Sequence, residues 1–139
     1  MSLAHRMADA SGEVIRKHFR QKFDVIGKDD NSPVTIADRD AEAAMRILIE
    51  DEFPSHGIIG EEHGSVRTDA EYVWVLDPID GTLSFISGSP TFGSLIALTR
   101  NGVPIMGILN QPISGERWLG ANGQTTLNGA SISARDCAS

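Results

Sequence analysis

Cysteine is almost missing: Cys137 is the only one in 139 residues, so no disulfide can form within the chain and a reducing, cytoplasmic interior is the simplest compartment. Long apolar runs are missing as well. Nothing approaches the ~20 apolar residues of a membrane-spanning helix, and the N-terminus lacks the apolar stretch of a secretion signal. No membrane partner is expected. Basic charge is scarce too: 12 Lys and Arg stand against 19 Asp and Glu, a net charge of −7, without a Lys/Arg cluster. Such a surface repels a phosphate backbone, which excludes nucleic acid as a partner. A small anionic ligand would need a cation as a bridge. Internal repeats and low-complexity linkers are also absent.

What remains is an ordinary globular composition, 40% apolar and 22% charged, at a length that suits one domain with its own core. From Leu3 to about Arg20, Leu3, Met7, Ala10, Val14 and His18 recur at three- and four-residue steps, opposite Arg6, Asp9, Glu13, Arg16 and Lys17. This predicts an amphipathic helix. A second is expected from Thr35, where Thr35 and Asp38 have capping-box spacing and Ala37, Ala41, Ala44, Met45 and Leu48 share a face. Pro54 bounds it. Between them, "GKDDNSP" (27–33) is rich in turn-formers and reads as a surface loop, a candidate lid.

Beyond Pro54 the periodicity changes. "GIIGEE" (57–62) and "YVWVLD" (72–77) are short apolar runs stopped by acids and read as buried strands whose acidic ends can meet. "FGSLIALTRNGVPIMGILN" (92–110) reads as two strands about Asn101-Gly102, and Asn122-Gly123 and Asn128-Gly129 mark further hairpins. Helices first and strands later predict an α+β fold, two helices packed on one face of a largely antiparallel sheet.

The stretch "YVWVLDPIDGTLSF" (72–85) drives a strand into two aspartates. Magnesium takes hard oxygen ligands in near-octahedral array, and Asp77, Asp80 and Glu61 supply them. Pro78 removes a backbone donor, so the ladder should break there and turn the Ile79 carbonyl to the same point. Gly81 permits a tight turn into Thr82, and the N–H groups of Gly81 and Thr82 then suit a phosphate. The plain alternatives are an Asx-type turn for Asp77, Asp80 and Gly81, and solvated loop residues for Glu61 and Glu62. The histidines, His5, His18, His56 and His63, lack metal-ligand spacing.

"GEEHG" (60–64), "WVLDPIDGT" (74–82) and "SPVTIAD" (32–38), in this order, resemble the inositol monophosphatase family of magnesium-dependent phosphatases. "FISG" (85–88), "FGSLIAL" (92–98), "QPISGERWLG" (111–120) and "TTLNG" (125–129) are most similar to its histidinol-phosphatase branch, and so to histidine biosynthesis. The resemblance implies that Glu61, Asp77 and the Ile79 carbonyl hold one Mg²⁺, that Asp77 and Asp80 share a second, and that Glu61 and Thr82 orient the attacking water. It also implies that Asp38 supports Thr82, beside its plainer role as a capping acid, and that Lys28 is a mobile-loop cation, beside its plainer role as a solvated loop residue. Glu62 would be a supporting carboxylate.

The family pattern continues into a second half with a further metal-binding aspartate and most substrate contacts, whereas this chain stops at Ser139. Residues 1–139 are therefore expected to be an N-terminal metal-binding unit of a longer enzyme. Leu83 also departs from the family, where a polar or basic residue often follows Gly-Thr. The implied activity is hydrolysis of a small phosphorylated substrate: histidinol phosphate first, with inositol phosphate or a phosphoadenosine-type nucleotide within the same chemistry. From another class, the alternative is a catalytically silent metal-binding or assembly module. An unpaired half would leave an apolar sheet face open, so a homo-oligomer is expected.

Overall fold

The computed structural model describes residues 2–21 and 33–134. Helix α1 spans Ser2–His18 and closes on Arg16, Lys17 and His18, basic residues placed where the helix dipole is negative. Its buried face is Leu3, Ala4, Met7, Ala8, Ser11, Gly12 and Ile15, turned from the predicted Leu3, Met7, Ala10, Val14, His18 line. The turn has a polar cause. Ser11 Oγ bonds Ser94 Oγ at 2.9 Å in a buried contact, and a Cβ on Gly12 would press against Pro112 at 3.2 Å.

Helix α2 spans Pro33–Glu52, two residues earlier than the expected start at Thr35. Proline suits a first helical position, because its missing N–H has no intrahelical partner there and its φ is already helical. Asp38 thus sits in the second turn, and its capping-box role is corrected by this placement. The predicted lid, 27–33, falls largely outside the described residues.

One eight-stranded sheet follows, in the order β2-β1-β3-β4-β5-β6-β7-β8. Its strands are β1 (Gly57–Gly60), β2 (Ser65–Val66), β3 (Tyr72–Asp80), β4 (Gly93–Arg100), β5 (Val103–Gln111), β6 (Glu116–Ala121), β7 (Gln124–Leu127) and β8 (Ala130–Ile132), with a short helix α3 (Thr82–Ile86) between β3 and β4. The pair β1–β3 is parallel and the others are antiparallel. The α+β expectation holds. At the three Asn-Gly hairpins both residues have positive φ, 49° and 77° at Asn101-Gly102 for example, the conformation that matches strand twist in a two-residue turn.

The helices cover one face of the sheet. Leu3, Met7, Met45 and Ile49 meet Ile58, Trp74, Leu76, Ile96 and Ile108 in the main core. A second cluster, Ile15, Ala37, Ala41, Ile79, Phe85 and Phe92, lies where α1, α2 and α3 meet the end of β3. Burial there makes a rigid floor under the turn 77–85. On the other face the register aligns Asp77, Leu95, Leu109, Trp118 and Leu127 in one cross-strand row. That face is uncovered by any described helix, and Leu109 keeps 43% and Trp118 38% of its surface exposed. Among the described residues no helix is long and apolar enough to cross a membrane.

Candidate metal and phosphate site

Parallel pairing puts Gly60 opposite Leu76, so the next residues, Glu61 just past the end of β1 and Asp77 still within β3, fall on the same side. Their side chains are close enough to share a hydrogen bond. Beyond Asp77 the pairing with β4 slips, from Asp77–Leu95 to Asp80–Gly93. Three residues on β3 match two on β4, a bulge placed where Pro78 has no N–H to give the ladder. This brings Asp80 back beside Asp77, and Asp38 approaches from α2.

Burial and crowding show in the electrostatics. Asp77 is pushed up from 3.8 to about 6, first by burial and then by the charges of Glu61 and Asp80, with the Ile79 N–H pulling the other way. Asp38 is pushed up from 3.8 to about 7, first by burial and then by Glu62, Asp77 and Glu61. One oxygen of each, Oδ1 of Asp38 and of Asp77, is buried without a hydrogen-bond partner. An orphaned buried acceptor is costly, and a cation satisfies both the lone pair and the charge.

The donor set therefore fits a hard divalent ion: Asp77, Asp80 and Glu61 offer carboxylate oxygens, as Mg²⁺ requires. Among the described residues no three of His, Cys, Asp or Glu already surround a single point. The carboxylates are neighbours rather than a closed cage.

Gly81 takes φ 95° as the residue before α3. A Cβ there would press on Phe92 and the Thr91 carbonyl at 3.2 Å, so glycine is required by both conformation and space. Its carbonyl accepts the N–H of Ser84 at 2.9 Å and of Phe85 at 3.2 Å. The Thr82 hydroxyl donates to the Ile79 carbonyl at 3.4 Å, three residues back, instead of to Asp38. Lys28 lies outside the described residues.

A sequence model described as the inositol monophosphatase family matches residues 1–139. The chain belongs to this family. Among its relatives, the bifunctional phosphatase IMPL2, chloroplastic, of Arabidopsis thaliana is 59% identical over 98% of this chain and 40% of its own length. A histidinol-phosphatase of Chlorobaculum parvum is 37% identical over 95% of this chain and 52% of its own. A solved inositol monophosphatase from Zymomonas mobilis superposes with a TM-score of 0.90 at 51% identity, covering 99% of this chain and 53% of that one. This inositol monophosphatase family chain thus spans about half the length, or less, of the relatives it matches.

Two residues escaped the sequence reading. Glu42 is fully buried and accepts the backbone N–H of Glu62 at 2.7 Å and of His63 at 3.1 Å, while Arg46 binds Glu42 at 2.7 Å. In sequence they look like an ordinary exposed i,i+4 pair on a helix. Ser94, Asn110 and Arg117 fasten α1 to the sheet: Ser94 Oγ meets Ser11 Oγ, Asn110 Nδ2 donates to the Ala8 carbonyl at 3.3 Å, and Arg117 Nε to Asn110 Oδ1 at 2.8 Å.

Proposed function

We propose that residues 1–139 form the metal-binding unit of a Mg²⁺-dependent phosphomonoesterase. The observation that carries this is the pair of orphaned buried carboxylate oxygens on Asp38 and Asp77, beside Glu61 and Asp80. Glu61, Asp77, Asp80 and the Ile79 carbonyl are the groups that would hold the ions. When bound, Mg²⁺ lowers the pKa of water and neutralises phosphoryl charge.

The chain's own residues do the rest. Glu61 takes up a proton from the attacking water, and Thr82 orients that water with its hydroxyl. The amides of Gly81 and Thr82 face the phosphoryl oxygens. The water oxygen forms the new P–O bond as the ester P–O bond breaks, the leaving alkoxide takes a proton from solvent water, and the proton on Glu61 returns to solvent while inorganic phosphate remains. No Ser, Cys or His nucleophile is required.

Histidinol phosphate is the first substrate to test, supported by the likeness to a histidinol-phosphatase, with inositol monophosphate the second, supported by an inositol monophosphatase of Solanum lycopersicum that is 35% identical. For location, the cytoplasm is our inference from the single cysteine, and the Arabidopsis relative is named chloroplastic. A second reading, a silent metal-binding or assembly module, is favoured by the uncovered apolar sheet face.

Phosphate release from both substrates, with and without Mg²⁺, decides between them, measured on this chain and on the product of its full reading frame. Mg²⁺-dependent release that Asp77→Asn abolishes supports the enzyme. No release from any phosphomonoester by either protein supports the silent module.

A further inference from the structure

The loop Glu61–Gly64 reverses the chain from β1 into β2, so its amides leave the ladder and need other acceptors. The carboxylate of Glu42, reaching up from α2, accepts two of them in succession, Glu62 N–H at 2.7 Å and His63 N–H at 3.1 Å. Its charge is balanced by Arg46 Nε at 2.7 Å, whose other arm donates to the Gly64 carbonyl. That carbonyl also accepts the N–H of Gly60 at 3.1 Å, closing the loop on itself. Three consecutive loop positions are thereby tied to one turn of one helix.

Space is arranged for the same contact. A Cβ on Gly60 would overlap the Glu42 carboxylate and crowd Arg46. Burying a carboxylate fully is costly unless it is paired and saturated with donors, and here Arg46 and the two amides do both. Such a carboxylate adds little net charge to the acidic corner nearby, because its counter-ion is part of the clamp.

We propose that Glu42 and Arg46 are positioning residues of the acidic corner: by clamping the backbone of loop 61–64 they fix where Glu61 meets Asp77 and where Glu62 meets Asp38. Glu61 is held between Gly60, paired in the sheet, and Glu62, whose N–H is fixed, so its Cα–Cβ direction is set on both sides. Asp38, Glu42 and Arg46 follow one another at four-residue steps along α2, so one helix face supplies both a corner carboxylate and the clamp beside it. Outer groups that orient ligands commonly change metal affinity 10–100-fold when removed.

The consequence for the ion rests on the metal reading above, whereas the clamp does not, and the test separates them. Amide hydrogen exchange at Glu62 and His63, and Mg²⁺ affinity by calorimetry, are measured on the whole chain as wild type, Glu42→Gln, Glu42→Asp and Arg46→Lys. The expected result is faster exchange at both amides and about tenfold or greater loss of Mg²⁺ affinity in Glu42→Gln, with unchanged far-ultraviolet circular dichroism and partial rescue in Glu42→Asp and Arg46→Lys. Protected amides in Glu42→Gln overturn the clamp. Freed amides with unchanged Mg²⁺ affinity overturn the positioning role and leave a purely structural one. A wild-type chain that binds no Mg²⁺ overturns the metal reading instead, with the clamp still read by exchange. If Glu42→Gln does not fold, Arg46→Met reads the same two amides.

Discussion

Asp38 on α2 and Asp77 on β3 each keep one buried carboxylate oxygen without a partner, and the charge of Asp77 is one of those that hold Asp38 protonated up to about pH 7. Between pH 4 and 7 the folded chain therefore carries more proton at Asp38 than the unfolded chain, whose carboxyl titrates near 3.8. The contribution of Asp38 to stability is fully present below that range and is lost as pH rises through 7.

In metal-free buffer at pH 7.5, Asp38→Asn should thus melt higher than wild type, by about 1 kcal/mol or roughly 3–5 °C, and should lose the decline in stability between pH 4 and 7. Mg²⁺ should act in the opposite order. At a hundredfold excess over its Kd it should stabilise wild type by about 2.7 kcal/mol, roughly 10 °C for a chain of this size, and leave Asp77→Asn nearly unmoved. Thermal melts with and without chelator read both effects. An equal response to Mg²⁺ in the two proteins sinks the assignment of Asp77.

Much of this corner was legible because its residues announce themselves locally. An apolar run that ends in Asp-Pro-Ile-Asp-Gly can hardly remain a regular strand, and the bulge falls between Asp77 and Asp80. The three Asn-Gly hairpins were equally plain, since few dipeptides tolerate two successive positive φ values. What stayed hidden depends on distant contacts. The buried face of α1 is set by Ser11 meeting Ser94, 83 residues away. Glu42 and Arg46 carry the pattern of a solvated helix face, and only the approach of loop 61–64 makes them internal.

His56 gives a pH dependence away from the carboxylates. Its ring stacks on Phe53 at 4.6 Å and on Tyr72 at 5.1 Å, and its Nδ1 accepts the Trp74 indole N–H at 3.1 Å. Protonation at Nδ1 would cost that hydrogen bond, and burial lowers the ring below its usual 6.5. Below 6.5 the unfolded chain then holds more proton than the folded one, so this residue makes stability fall with acidification. Urea midpoints at pH 7.5 and 5.5 should drop less in His56→Gln than in wild type. An identical drop would show that His56 titrates normally.

The uncovered row Leu95, Leu109 and Trp118 predicts concentration-dependent self-association of this chain. A charge in this row must be desolvated whenever the face is covered, so Trp118→Glu should weaken association by about tenfold or more, about 1.4 kcal/mol. Its melting temperature should barely change, because Trp118 is 38% exposed. Sedimentation velocity over a hundredfold range of concentration reads the result. A wild type that stays monomeric throughout removes the homo-oligomer expectation for this chain.

Gly81 joins the fold to the proposed chemistry most tightly. At φ 95° an L side chain is strained by about 1–3 kcal/mol, and the added Cβ must also displace Phe92, part of the floor beneath the turn. Gly81→Ala should therefore destabilise the chain by about 2–4 kcal/mol when the strain and the packing loss of about 1 kcal/mol combine. The same strain is relieved if the peptide before Gly81 rotates and so changes φ at Gly81, which would swing the Gly81 amide off its line. In the proposed site Mg²⁺ would be held by Glu61, Asp77 and Asp80, whose side chains precede that rotation, whereas phosphate would meet the amide that moves. In a variant that still folds, calorimetry should find Mg²⁺ affinity within about threefold of wild type and added phosphate binding at least about tenfold weaker. Loss of both together would mean that the turn holds the carboxylates as well, and the division of the corner into a metal side and a phosphate side would be wrong.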